Sequence, residues 1–462
     1  MSQGHSFHSS VLREYDVRGI VGETLGGADA FVLGRSLATW MARNGIAGHA
    51  VCVGYDGRLS SPALEEQLVA GLKASGCEVV RIGLGPTPML YYGTHDMACA
   101  AGIMITGSHN PPDYNGFKFM VGGKPFYGAA IQALGTIATE GDFVAGEGTD
   151  RSVDIMDAYI AALLAAAGPL PTLRAAWDVG NGATGEVLEK LVKHLPGEHV
   201  VLNGEIDGTF PAHHPDPTVP ENLEQIMVQV RADNLDIGIA FDGDGDRLGV
   251  IDGQGRILWG DQIIALLARP VLHDRPGATI IADVKASQAL FDEISRLGGS
   301  PLMWRTGHSC IKDKMAELKA PLAGEMSGHI FFGDRWFGVD DALYAALRLL
   351  SVIATEEQTI SALHDSLPRL VNTPEIRFDC PDSRKFEVVE EVRERLAAED
   401  GDVIGIDGVR VNRDGGWWLL RASNTQPVLV ARCEAPDDAV LETLKAELLR
   451  QLRASGVEPP QF

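Results

Sequence analysis

Residues 49–83 read HAVCVGYDGRLSSPALEEQLVAGLKASGCEVVRIG, and the punctuation of this stretch decides the fold. An apolar run ending at Tyr55 predicts a strand, and a polar turn follows. Ser61 as N-cap, with Pro62 at the first helical position, predicts a helix that Gly76 ends before the next strand. The same order recurs in TLRAAWDVGNGATGEVLEKLV, residues 172–192, and in ATIIADVKASQALFDEISRLGG, residues 278–299. Each β-rich run there closes on an aspartate, Asp178 or Asp283, where the first has Asp56. Units spaced by roughly a hundred residues are too long for a solenoid repeat and suit a βαβ domain used three times.

After about residue 369 the pattern changes to PEIRFDC, a charged helix from about Ser383 to Glu399, strands around VIGIDGVRVN, WWLLR and VLVARCE, and a last helix from about Asp437. The expected fold is therefore α/β: three related α/β domains of mixed sheet plus a C-terminal α+β domain. Breaks near Asp150, near Gly253 to Gly255 and near Pro368 place the domains at 1–153, 154–256, 257–368 and 369–462.

A net charge of −24 argues against nucleic acid as a partner, because such proteins present a basic surface, and it requires any bound phosphate to meet a local basic pocket. Six cysteines, Cys52, Cys77, Cys99, Cys310, Cys380 and Cys433, form no CxxC pair, and several lie in apolar runs, as expected in a reducing cytoplasm. The first residues, MSQGHSFHSS, lack the basic start and apolar stretch of a secretory signal, and no run has the length of a membrane span. A cytoplasmic protein without membrane contact is expected. His5 and His8 are given no role.

Four loops carry chemistry. TGSHNPPDYNGFKF, Thr106 to Phe119, follows the apolar strand ACAAGIMI, and Gly107 and His109 on either side of Ser108 expose its hydroxyl at a strand end, where open α/β sheets bind ligands. Ser108 is a candidate nucleophile; in isolation the loop also fits a turn in which Ser108 and Asn110 satisfy backbone groups. Lys118 could serve a phosphate or be solvated. DGDGDRLG, Asp242 to Gly249, follows the strand LDIGIAF, and its alternate carboxylates Asp242, Asp244 and Asp246, separated by glycines, can turn onto one hard cation such as Mg²⁺. An EF-hand is excluded, since Arg247 and Gly253 stand where it needs glycine and glutamate. Arg247 could steady a phosphate beside the metal.

In GEMSGHIFF, Gly324 to Phe332, the alternation of Glu325, Ser327 and His329 would aim all three one way on an extended segment, towards a polyhydroxylated ligand; a local Glu–His pair is the plainer reading. RASNTQP, Arg421 to Pro427, offers the Arg421 fork with Ser423, Asn424 and Thr425, a fit for a phosphate dianion or simply a polar hairpin. GNGATG, Gly180 to Gly185, matches a dinucleotide fingerprint, but Asn203 rather than an acid closes the next strand, so nucleotide binding is not expected. His213 and His214, set among prolines, read as a rigid loop rather than metal ligands.

Together and in this order, these loops, with REYDVRGIVG at Arg13 to Gly22 and RTGHSCIK at Arg305 to Lys312, resemble the α-D-phosphohexomutase family, in its phosphomannomutase/phosphoglucomutase branch. The likeness covers nearly the whole chain. It implies a heart-shaped molecule around one central cleft, and interconversion of hexose 1-phosphate and hexose 6-phosphate, of mannose or glucose, through phospho-Ser108. It also implies Mg²⁺ bound by Ser108, Asp242, Asp244 and Asp246, and a hexose 1,6-bisphosphate that forms, reorients in the site and serves as activator. A distal phosphate clamp of Tyr15, Lys285, His308, Arg421, Ser423, Asn424 and Thr425 is implied, with Glu325 and Ser327 on sugar hydroxyls. Arg18, His109, Lys118 and His329 are the candidates for acid–base work, with Arg247 beside the phosphate. The one departure is Gln426, where the family often has an acid. Partners would be small sugar phosphates, and the assembly a monomer, with a dimer as alternative. Rival readings are an aspartyl phosphatase using Asp242, a phosphoglucosamine mutase within the family, and a metal-dependent sugar-binding protein with an inert Ser108.

Overall fold

The strand that opens the repeated plan lies inside its sheet each time. Val51–Tyr55 runs between the parallel strands Val79–Leu84 and Ala101–Ile105, and the latter turns back into antiparallel Tyr114–Val121. Leu173–Asp178 has the parallel neighbours Gly197–Leu202 and Ile237–Phe241, and the latter turns into antiparallel Leu248–Asp252. Thr279–Asp283 lies between Ser300–Trp304 and Leu322–Gly324, the latter turning into antiparallel Ile330–Phe332. The computed structural model describes residues 4–46, 50–397, 402–424, 426–458 and 460.

Three mixed sheets thus share one strand order, and in each a single kind of loop joins the third strand to its antiparallel partner. Those loops are the three that carry SHN, DGDGDR and EMSGH. Asp56, Asp178 and Asp283 end the central strands and are buried, so each carboxylate must collect donors from the chain around it. In the first sheet Val17–Ile20 adds antiparallel to Tyr114–Val121 with Arg18 opposite Gly116, which brings Arg18 to the edge of the Ser108 loop.

The helix Ser61–Lys73 begins one residue earlier than expected. Ser60 holds the N-cap position and Ser61 lies within the first turn, because its hydroxyl donates to Asp56 Oδ1 at 2.6 Å instead of capping the helix. The helix Ala342–Glu356 is buried without a break from Ala342 to Leu350, its one buried cation Arg348 paired with Asp334 at 2.8 Å, and it packs on the helices Met156–Ala167 and Gly260–Asp274. The largest apolar cluster therefore runs through all three α/β units, from Tyr92 to Trp177 to Leu347.

The fourth sheet is antiparallel throughout, built on Val409–Arg413, Gly416–Ala422 and Val428–Ala435. Neighbouring strand residues face opposite ways, so the adjacent tryptophans divide the labour. Trp418 packs among Val388, Val392 and Leu448 of the helices Asp382–Ala397 and Asp438–Ala454, while Trp417 packs with Leu419 against Val284 of the third unit. Arg410 lies 3.8 Å above the Trp417 ring and donates to the carbonyls of Val284 and Ala286, both at 2.8 Å. All six cysteines are unbridged, and no helix among the described residues is long and apolar enough to cross a membrane.

Candidate active site

Ser108 sits directly beyond the strand Ala101–Ile105 with φ of +49°, a left-handed conformation that a non-glycine residue adopts at a cost. The surroundings enforce it. Ser108 N–H donates to Thr106 Oγ1 at 2.8 Å, and Asp56 Oδ2 accepts the Gly107 N–H at 3.1 Å. Arg58, whose side chain is wholly buried, donates to the carbonyls of Ser108 at 2.7 Å and Asn110 at 2.6 Å, as well as to those of Pro111 and Tyr114. The turn aims the Ser108 hydroxyl at the second unit, where it donates to Asp242 Oδ2 at 3.0 Å; His109 Nδ1 lies 3.2 Å from the same oxygen. Arg18 donates to the Gly107 carbonyl at 3.0 Å and to Asn110.

Asp242, Asp244 and Asp246 are fully buried, and one oxygen from each lies within 4.8 Å of the others. Burial, and then the charges of Asp246 and Asp244, push the Asp242 carboxyl well above the usual range. Lys118 bonds Asp244 at 2.7 Å and Asp246; burial opposes its charge, yet the three carboxylates outweigh that and hold its pKa above the ordinary lysine value. Asp244 Oδ1 and Asp246 Oδ1 are buried without a hydrogen-bond partner. Orphaned acceptors in a ring of carboxylates fit a hard divalent cation. Thr87 fixes the ring from the first unit, its hydroxyl donating to Asp244 and its N–H to the Asp244 carbonyl.

GNGATG proves to be the bracket of this loop. Ala183 N–H donates to the Gly243 carbonyl at 2.9 Å, and a Cβ on Gly182 would meet that same oxygen at 2.9 Å. The N–H groups of Gly180, Asn181 and Gly182 donate to Asp178, Asn203 and Val179 inside the protein, so with Ala183 they are not free to cradle a pyrophosphate. His213 Nε2 bonds Asp178 at 2.9 Å with Asn203 on the other oxygen, a structural network.

Glu325 to Gly328 form a tight turn, so the extended alternation expected there does not hold. Gly328 has φ of +91° and lies so close to Leu248 that a Cβ would meet its carbonyl at 2.6 Å. Glu325 accepts from Gly307 N–H at 2.9 Å and from Ser327 at 3.0 Å, whereas His329 turns to the metal loop. Arg247 Nε donates to His329 Nε2 at 3.0 Å, which leaves His329 Nδ1 facing Asp340 at 3.1 Å. Asp340 also binds Lys312 at 2.9 Å and faces His308 at 3.7 Å; burial, and then Lys312, hold His308 well below the usual histidine range.

The predicted distal group gathers from three units. Asn424 donates to Tyr15 Oη at 2.9 Å, and Tyr15 donates to the Thr306 carbonyl at 3.0 Å. Asp407 accepts both the Thr306 N–H at 3.0 Å and Arg421 Nε at 3.1 Å. Lys285 pairs with Glu375 at 2.8 Å. Ser423 is buried beside Arg421, and Thr425 lies outside the described residues.

The models of phosphoglucomutase/phosphomannomutase alpha/beta/alpha domains I, II and III match residues 9–145, 157–255 and 259–371, and that of the C-terminal domain matches residues 375–451. The chain belongs to the phosphoglucomutase/phosphomannomutase family. It is 43% identical over 446 residues to a phosphomannomutase/phosphoglucomutase of Pseudomonas aeruginosa, covering 96% of each chain. It is also 43% identical over 444 residues to a phosphoglucomutase of Neisseria gonorrhoeae, covering 95% of this chain and 96% of the relative. A crystal structure of a phosphoglucomutase/phosphomannomutase family protein from Burkholderia thailandensis superposes with a TM-score of 0.91 at 41% identity, covering 97% of this chain and 98% of that one.

Arg58, Thr87, Asp340 and Asp407 were not singled out in the sequence. Arg58 had one signal, a basic residue two positions after a strand-closing aspartate. Asp340 had none, since VDDA reads as an ordinary helix start, and in it Asp341 is the N-cap.

Proposed function

We propose that this family member interconverts hexose 1-phosphate and hexose 6-phosphate of glucose and mannose, with Ser108 as the phosphoryl carrier. The observation that carries the reading is the hydrogen bond from Ser108 Oγ to Asp242, which sets a strained, backbone-clamped serine against a buried three-carboxylate ring.

A sugar hydroxyl attacks the phosphorus of phospho-Ser108; the new P–O bond forms as the P–Oγ bond breaks, and the hydroxyl proton is taken up while Oγ regains one. His109 is the ring nearest Oγ, and burial, followed by the charges of Arg247 and Arg18, holds it well below the usual histidine range, so it is neutral and able to relay that proton. Lys118 stays charged and neutralises the carboxylate ring, and Arg18 ties its own strand to the Ser108 loop. Asp242, Asp244 and Asp246, with an oxygen of phospho-Ser108, would hold Mg²⁺, which when bound supplies Lewis-acid neutralisation of the transferring phosphoryl group. Arg247, anchored by His329, faces the reacting phosphate, while Glu325 and Ser327 receive sugar hydroxyls.

The bisphosphate so formed turns over and returns its other phosphate to Ser108. Tyr15, Lys285, His308, Arg421, Ser423, Asn424 and Thr425 hold whichever phosphate is distal. Relatives at equal identity carry the names phosphomannomutase/phosphoglucomutase and phosphoglucomutase, which supports glucose as a substrate in both cases and mannose in the first. The test is turnover of the 1-phosphates of glucose, mannose, glucosamine and N-acetylglucosamine with a trace of hexose 1,6-bisphosphate, alongside intact mass before and after Ser108→Ala. Unchanged turnover in Ser108→Ala, or phosphate mapped to Asp242, would sink the reading.

A further inference from the structure

Lys285, assigned to the distal phosphate, already holds a carboxylate and shares it with Arg377. Glu375 Oε2 lies 2.8 Å from Lys285 Nζ, and Glu375 Oε1 lies 2.7 Å from Arg377 Nη2 and accepts Arg377 Nε at 2.8 Å. Arg377 reaches on to Gln426 Oε1 in the RASNTQP loop at 2.9 Å, so it faces the same loop as Arg421. Burial opposes the charge of Glu375, but Lys285 and Arg377 hold its pKa far below the ordinary glutamate value, and it is ionised at neutral pH. The pair also joins two units. Lys285 follows the central strand of the third sheet, and Glu375 stands at the first residue of the C-terminal domain match, beyond the short strand Val371–Asn372.

We propose that Glu375 is the resident anion of the distal phosphate clamp: it occupies Lys285 and Arg377 between visits of phosphate, must be displaced for phosphate to bind, and returns to help it leave. The inference rests on the mutase reading, and its physical basis is the balance of buried charge. Lys285 is 5% exposed, and stripping a buried cation of its partner is costly. A clamp left bare at every departure would hold each phosphate too long, and this reaction requires the intermediate to let go and turn. A tethered carboxylate repays the cations as phosphate leaves. Asp283, 3.8 Å from Lys285, is the next acid and is already committed to Thr306 and the Met326 N–H. Gln426, being neutral, cannot take the place of Glu375 on Arg377.

Glu375→Gln keeps the volume and removes the charge. In a Ser108→Ala background, where no turnover intervenes, calorimetric titration with glucose 1-phosphate should show binding tighter by about fivefold to tenfold. With Ser108 intact, KM and kcat for glucose 1-phosphate should fall together, because release becomes slower. A merely structural role would instead raise KM. If Glu375→Gln melts well below the parent, Glu375→Asp, which keeps the charge but draws it back by one methylene, should still tighten binding by a smaller factor. Unchanged or weaker binding in the variants overturns the role of Glu375 alone. A parent that neither binds nor turns over glucose 1-phosphate or mannose 1-phosphate overturns the mutase reading with it.

Discussion

Arg58 Nη2 donates to the carbonyl oxygen of Ser108 at 2.7 Å, and with this bond a residue outside every recognised motif fixes the backbone of the proposed nucleophile. Its other donors serve Asn110, Pro111, Tyr114 and the Asp56 carboxylate. Arg58→Met should cost about 3–5 kcal/mol of stability by leaving Asp56 buried without its cation. It should also lower kcat by about a hundredfold through the misplaced loop. Arg58→Lys should recover part of the stability but little of kcat, since an ammonium cannot reproduce the planar fork. Urea unfolding and steady-state rates on the same samples separate the two effects.

Ser108→Gly should uncouple stability from activity. Glycine accepts φ of +49° without the penalty serine incurs, so the variant should gain about 1 kcal/mol, less whatever the lost hydroxyl bond to Asp242 contributed. Activity should fall by at least about a thousandfold, because the carrier oxygen is gone. Differential scanning calorimetry and a coupled assay check both halves. A melting temperature below that of Ser108→Ala would mean that strain is not stored at this turn.

The architecture was legible because its grammar is local. A strand closed by aspartate and followed by a capped helix can be read off residues 49–83, and finding it three times gave three mixed sheets. The four loops were legible for a similar reason, as glycines and alternating polar residues announce them. What could not be read was set by contacts between units. Glu325, Ser327 and His329 alternate as a strand would, but Gly328 is pressed against Leu248 of the second unit, and the segment turns. Asp340 matters because Lys312, His308 and His329 converge on it from elsewhere in the chain. Lys285 was expected at the distal phosphate, but nothing in the sequence announced that the fold sets Glu375 of the next unit beside it.

His213 should impose a pH dependence on stability. Burial lowers its pKa, but the bond to Asp178 outweighs burial and raises it above the ordinary histidine value. A histidine whose folded pKa is raised stabilises the fold fully below its unfolded pKa, and that contribution is lost as pH rises through the folded value. The melting temperature should therefore decline from mildly acidic to mildly alkaline pH, and the part due to this pair should vanish in His213→Gln. Identical slopes in parent and variant would show that the Asp178–His213 pair is not charged in the fold.

Gly243 is where the metal loop touches the Ser108 loop. A Cβ there would stand 2.5 Å from the Ser108 carbonyl oxygen and 3.3 Å from Pro215 Cγ. The first of these is backbone, already gripped by Arg58, and cannot retreat without undoing the turn. In Gly243→Ala the DGDGDR loop must therefore back away, which separates Asp242 from Ser108 and pulls the Gly243 carbonyl from its bracket at Ala183. The expected result is divalent-cation affinity weakened by about tenfold or more and kcat reduced by a larger factor, with sugar phosphate binding at the distal clamp nearly unchanged. Removing the metal with a chelator should abolish turnover in the parent, and restoring it should need far more Mg²⁺ in Gly243→Ala. If both proteins recover at the same Mg²⁺ concentration, the contact at Gly243 does not govern how the carboxylate ring meets Ser108.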